Sequence, residues 1–159
     1  MQRIYRARKR LLGLLALVVA SVLVAPPVMA ATWYSASSPL KVYDNQVAQG
    51  YAYGDFKNNS DVSARSYSWQ KDPRPGGSGI YVETSFYFYE PCGTGAGTEW
   101  CYSAKKSTEN TTSGSWIADY TARYLSSAGS QARGTMKVCE NHSWASDPCS
   151  AKVTKSFSY

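Results

Sequence analysis

The sequence predicts an all-β fold: an antiparallel sandwich, or flattened barrel, of about seven or eight strands with two hairpin disulfides. Three observations predict it. Strand-like segments recur through residues 31–159, separated by clusters of Asn, Asp, Gly, Pro and Ser. Several of them alternate side-chain character with a period of two. Past residue 30, no window sustains the 3.6-residue apolar period of an amphipathic helix.

The segments follow in order. A small, polar lead-in from Ala31 to Pro39 carries one short edge strand around Trp33 and Tyr34. Leu40–Tyr43 stops at Asp44-Asn45, Val47–Lys57 at Asn58-Asn59-Ser60-Asp61, and Val62–Lys71 at the Asp72-Pro73-Arg74-Pro75-Gly76-Gly77 breaker. Ile80–Glu90 alternates most clearly: Ile80, Val82, Thr84, Phe86 and Phe88 form a row expected in the core, and Tyr81, Glu83, Ser85, Tyr87 and Tyr89 the opposite row. Trp100–Lys106, Ser115–Leu125 and Gln131–Glu140 come next. In the last segment, Ser150–Tyr159, Ala151, Val153, Phe157 and Tyr159 oppose a Ser/Thr/Lys row that suits a solvated face, and Lys155 falls on the apolar side.

The first thirty residues read differently. Arg3, Arg6, Arg8, Lys9 and Arg10 precede an apolar run, Leu11 to Val24, and then Ala25-Pro26-Pro27-Val28-Met29-Ala30. Basic head, apolar middle and small residues at a cut are the parts of a secretory signal peptide, with cleavage expected after Ala30. An uncleaved membrane anchor is the rival, and the Pro26-Pro27 pair, which breaks a helix, argues against it. Residues 31–159 are then one secreted domain of 129 residues (159 minus 30).

Export changes the charge account. The whole chain has 17 Lys+Arg against 11 Asp+Glu, a formal +6. The five basic residues of the leader leave with it, so 12 face 11 in the mature part, a net of +1. That balance removes the basis for expecting nucleic acid as a partner, and no membrane is expected once the leader is cut. The mature protein is expected to be a monomer.

All four cysteines, Cys92, Cys101, Cys139 and Cys149, lie in the mature part. In an oxidising compartment an even count favours disulfides, and four cysteines allow three pairings. Neighbours, Cys92–Cys101 and Cys139–Cys149, are the favoured pairs, because each closes a short loop rich in turn residues. The spacing lacks the CxxC pairs of zinc ribbons and of redox dithiols. Asp55 with Asn58-Asn59-Ser60-Asp61 is oxygen-rich but lacks the Asp-x-Asp-x-Asp-Gly pattern of a calcium loop. No metal and no cofactor are expected.

Tyr81, Tyr87 and Tyr89 with Glu83 among them form the first candidate binding face, for flat aromatic rings with polar neighbours suit a sugar ring or a protein surface. Trp100, inside the Gly-rich Cys92–Cys101 loop, is the second, since a pinned loop presents its tip at low entropic cost. His142, the only histidine, has Ser143 next to it, but adjacent residues on an extended strand point to opposite faces, and a lone loop histidine reads as a polar turn residue. Glu83, Glu90 and Asp119 are the carboxylates a glycosidase would need to pair. No catalytic residue is assigned.

The basic leader, the strand Gly79-Ile80-Tyr81-Val82-Glu83-Thr84 and the stretch Arg133-Gly134-Thr135-Met136-Lys137-Val138-Cys139 with Asp147-Pro148-Cys149-Ser150 resemble small secreted β-proteins of actinobacteria. The resemblance implies export and a small β fold, and carries no activity. The functional expectation is a secreted, disulfide-stabilised binding protein for an extracellular glycan or a protein surface. The alternative is a secreted antagonist, an enzyme inhibitor or bacteriocin-like toxin, and a small glycan hydrolase stands third.

Overall fold

A computed structural model describes residues 30–75, 77–93, 95 and 97–159. The expected leader lies outside them except for Ala30. Among the described residues there are nine strands and no helix: β1 (Ala31–Trp33), β2 (Leu40–Asp44), β3 (Val47–Asn59), β4 (Ser63–Lys71), β5 (Ile80–Glu90), β6 (Glu99–Ser107), β7 (Ile117–Tyr124), β8 (Gln131–Glu140) and β9 (Val153–Ser158). The count exceeds the expected seven or eight, because the lead-in edge strand forms as β1 beside all eight longer segments.

All pairings between strands are antiparallel and build two sheets. In the five-stranded sheet, β1 and β2 lie in succession along one edge of β3, and β4 then β7 continue from its other edge. The four-stranded sheet runs β6-β5-β8-β9. Two hairpins, β2–β3 and β3–β4, turn on residue pairs with positive φ: Asn45 (47°) with Gln46 (67°), and Ser60 (55°) with Asp61 (55°). Consecutive left-handed residues match the twist of paired strands, and Asn, Asp and Ser tolerate them in tight turns. At the second turn Asp61 N–H donates to Asn58 Oδ1 and Asn58 Nδ2 to Asp61 Oδ1, so these oxygens serve the turn.

The sheets pack face to face over one core. The row Ile80, Val82, Thr84, Phe86, Phe88 is buried as the alternation requires. Facing it are Trp33, Leu40, Val42, Ala52, Phe56 and Ala64, with Ala132, Met136 and Val138 beside it on β8. The large residues are unevenly shared. The inward positions of β4 are Ala64, Ser66, Ser68 and Gln70, all buried, and those of β3 include Gly50, Ala52 and Gly54. Phe56 lies directly on the backbone of Gly134, where an added Cβ would come within 2.6 Å of its ring. Burial of Gln70 is compensated by hydrogen bonds: its Nε2 donates to the Glu109 carbonyl (2.9 Å), and Thr108 Oγ1 donates to its Oε1 (2.8 Å). Thr108 Oγ1 also accepts from Val82 N–H (2.8 Å), so one polar link ties β4 to β5 across the sandwich.

Both disulfides are the neighbouring pairs, Cys92–Cys101 and Cys139–Cys149. Lys155 keeps its place on the inward row and stays partly exposed, because β9 is an edge strand paired only with β8.

Candidate functional site

Tyr81, Tyr87, Tyr89 and Glu83 do share the outer face of the four-stranded sheet, and each is engaged with neighbours there. Tyr87 meets Tyr102 edge-on with ring centroids 5.7 Å apart. Tyr89 tilts against Trp100 at 5.4 Å, and the Arg133 guanidinium covers the Trp100 ring at 3.8 Å. Glu83 is buried under two ion pairs, with Lys105 (3.2 Å) and Lys137 (3.1 Å). The carboxylate is therefore neutralised within the sheet. Trp100 belongs to β6, paired with Tyr89, so it is a strand residue beneath an arginine and not the tip of its disulfide loop.

Tyr81 reaches beyond its own sheet to the Cys139–Cys149 loop. Its hydroxyl donates to Asp147 Oδ2 (2.7 Å), while Asp147 Oδ1 accepts His142 N–H (2.9 Å), fastening the Cys139–Cys149 loop to β5. The Tyr81 hydrogen bond, helped by the His142 N–H, holds the Asp147 carboxyl below its ordinary range. Burial, with the Asp147 hydrogen bond and charge next, pushes the Tyr81 hydroxyl well above its ordinary value. A lowered carboxylate pKa contributes stability above the unfolded value, about 3.9, and loses it as pH falls through the folded value. A raised phenol pKa contributes below about pH 10 and loses its share as pH rises through the folded value. Tyr81→Phe should thus cost stability by a constant amount between about pH 5 and 8, with the gap from the parent closing below about pH 4. Urea midpoints measured across that range check this; a gap unchanged at pH 3 would contradict it.

The carboxylates considered for hydrolysis do not converge. Glu83 faces outward from the four-stranded sheet, and Asp119 belongs to β7 of the other. Asp119 accepts backbone N–H groups from Glu109 (2.9 Å) and Tyr120 (2.6 Å), and Glu90 accepts the Ser126 hydroxyl. These contacts anchor loops and strand ends.

The outer face of the five-stranded sheet is where sequence reasoning missed most. Tyr53 stacks on Trp69 with centroids 5.1 Å apart and planes 6° apart, and Trp116 and Tyr67 close edge-on around them at 4.9 and 4.6 Å. Lys57, Arg65 and Lys71 lie over the rings of Tyr67, Tyr120 and Trp116. At the centre of this face the rings cover each other, leaving edges rather than flat platforms to solvent.

Toward the C-terminal end of β7 the packing opens. A groove of about 430 Å³ is lined by Arg65, Lys106, Arg123, Tyr120 and Tyr124, with smaller residues between. Tyr120 is 50% and Tyr124 75% exposed. Arg65, Lys106 and Arg123 have no carboxylate partner among the described residues. Arg65 Nε is buried without a hydrogen-bond acceptor, and Arg123 Nε donates to Ser103 Oγ (2.9 Å) across the sandwich edge. The period of two in Ser115–Leu125 puts Tyr120 and Tyr124 on one face, but nothing in the sequence brings Arg65 and Lys106 to them.

At the other end of the molecule, Trp144 is fully exposed in the Cys139–Cys149 loop. Comparison with protein-family models, curated proteins and solved structures finds no match for this chain. The functional reading rests on the geometry alone.

Proposed function

We propose that this is an exported binding module, and that the groove along β7 takes a carbohydrate polymer bearing carboxylate, phosphate or sulfate groups. One observation carries the reading: three cations without carboxylate partners converge on two exposed tyrosines in one groove. Guanidinium and ammonium groups hold anionic oxygens through charge-assisted hydrogen bonds; Arg65 covers one face of Tyr120, and the more exposed Tyr124 ring supplies flat apolar area for a sugar ring. The β7 edge is paired only with β4, which leaves an extended strip for a linear polymer. Export through the expected leader, and two disulfides on an all-β fold, are compatible with work outside the cell. The candidate face on the opposite sheet fits less well, because Glu83, Trp100 and Tyr89 already satisfy one another or nearby cations.

Affinity electrophoresis in gels containing heparin, polygalacturonate or neutral starch tests this. Retardation by an acidic polymer, lessened by salt, is expected, with starch inert. Lys106→Ala with Tyr124→Ala should weaken binding at least tenfold, since a hydrogen bond to a charged group contributes about 1.5–3 kcal/mol. Tyr102→Ala, on the opposite outer face, should bind like the parent. No retardation by any acidic polymer, or loss through Tyr102→Ala alone, would overturn the proposal.

A further inference from the structure

At the opposite end of the sandwich, a side chain of the β2–β3 turn meets two from the end of β8 and the loop after it. Asp44 is the last residue of β2, at the left-handed Asn45-Gln46 turn; Glu140 is the last residue of β8; His142 stands two residues further, inside the second disulfide loop. One ligand atom from each lies within 4.8 Å of the other two. We infer that Asp44, Glu140 and His142 form a binding site for a zinc-type divalent cation.

The electrostatics call for a cation. Two carboxylates this close repel when both are ionised, and one of them is buried. Neither has a lysine or arginine partner among the described residues. Glu140 is only 8% exposed, and its Oε2 is fully buried with no hydrogen bond. That oxygen lies 3.2 Å from His142 Nε2, an ion pair when the imidazole is protonated, though without hydrogen-bond geometry. With Nε2 unprotonated, both atoms are acceptors and a shared cation takes the place of the proton between them. With bonds of about 2.0–2.2 Å in a tetrahedral arrangement, neighbouring ligand atoms sit about 3.3–3.6 Å apart. The Glu140–His142 separation already fits, and Asp44, on a turn, needs only a small approach.

The donor set selects the metal class. Carboxylate oxygens are hard ligands that zinc also accepts, the imidazole nitrogen turns the set toward zinc, and calcium takes six to eight oxygens. Three protein ligands leave a fourth position for water, and Asp44 and His142 are partly exposed on that side. The surroundings hold the ligands in place. Asn45 Nδ2 donates to Asp44 Oδ2 (3.2 Å). His142 N–H is held by Asp147 (2.9 Å), Glu140 N–H donates to the Pro148 carbonyl (3.0 Å), and Asn141 N–H to that of Gly79 (2.7 Å). A bound ion would join the β2–β3 turn to the base of the loop that carries Trp144. This site is independent of the β7 groove.

Calorimetric titration of the purified, oxidised protein with zinc chloride tests the inference, with calcium chloride in a parallel run. One zinc per chain is expected, with a raised melting temperature as linkage requires. Asp44→Asn and His142→Gln, both at partly exposed positions, should each bind zinc at least tenfold more weakly, and without metal Asp44→Asn should melt no lower than the parent, since it removes the repulsion between the carboxylates. Absence of saturable zinc binding, or either variant binding as tightly as the parent, would overturn the site. Calcium binding as tight as zinc would overturn the assignment of metal class.

Discussion

Phe56→Ala should lower the unfolding free energy by about 3–5 kcal/mol, the usual cost of truncating a fully buried phenylalanine. Phe56 is wholly buried, 6.0 Å from the Phe86 ring and 5.2 Å from that of Phe157, and it lies against the Gly134 backbone. It is the largest inward residue of β3, whose other inward positions include Gly50, Ala52 and Gly54. Small neighbours on its own strand cannot move in to fill the space, so the cavity term should be near its full value. A domain of this size has about 5–15 kcal/mol in total, and the variant should unfold at markedly lower urea. Equilibrium urea denaturation measures it; a loss under about 1.5 kcal/mol would mean the two sheets can close over the gap.

Removing the second disulfide, by Cys139→Ala with Cys149→Ala, should cost about 2.5–3 kcal/mol and lower the melting temperature by on the order of 10 °C. The figure follows from the loop entropy released to the unfolded chain for a sequence separation of 10. The first disulfide closes almost the same length, with a separation of 9, so its removal should cost a similar amount. The local consequences should differ. Cys139 is completely buried at the end of β8, and its bridge closes the loop that bears His142 and Trp144. Opening it leaves that loop held by the Asp147 contacts and the backbone bonds of Glu140, Asn141 and Ser150. Amide hydrogen exchange should therefore quicken at residues 141–148 in the second-bridge variant alone. Equal protection there in both variants would show that those hydrogen bonds suffice without the bridge.

How far the fold could be read from sequence varied with strand composition. In β5 the alternation named the core row correctly, because Ile80, Val82, Phe86 and Phe88 face inward and tyrosines face outward. In β3 and β4 the pattern is inverted in size. Tyr51, Tyr53, Tyr67 and Trp69 lie on the outer face, while glycine, alanine and serine occupy most inward positions. Only the large residues of the opposing sheet make those small inward residues the right fit, and a single strand does not show its partner's volume. The outer aromatic face went unread for that reason.

The candidate sites follow the same division. Tyr81, Tyr87 and Tyr89 were legible as one row because they lie on one strand, yet what each touches comes from β6 and from the Asp147 loop. The β7 groove joins Arg65 to Lys106 and Arg123, from three different strands. The Asp44, Glu140 and His142 cluster joins a turn to a loop nearly a hundred residues away along the chain.

The all-β class, the strand segments within a few residues and the tight turns are legible along the chain, and of three possible cysteine pairings the neighbouring one that forms is the favoured one. Each of those depends on interactions between residues close along the chain: the period-two alternation, the left-handed tolerance of Asn and Asp, and short-loop closure. Packing sets which face of β3 and β4 lies inside, which charges stay without partners, and which carboxylates meet a histidine. Those depend on distances across the sandwich, and such distances arise only when two sheets pack against each other.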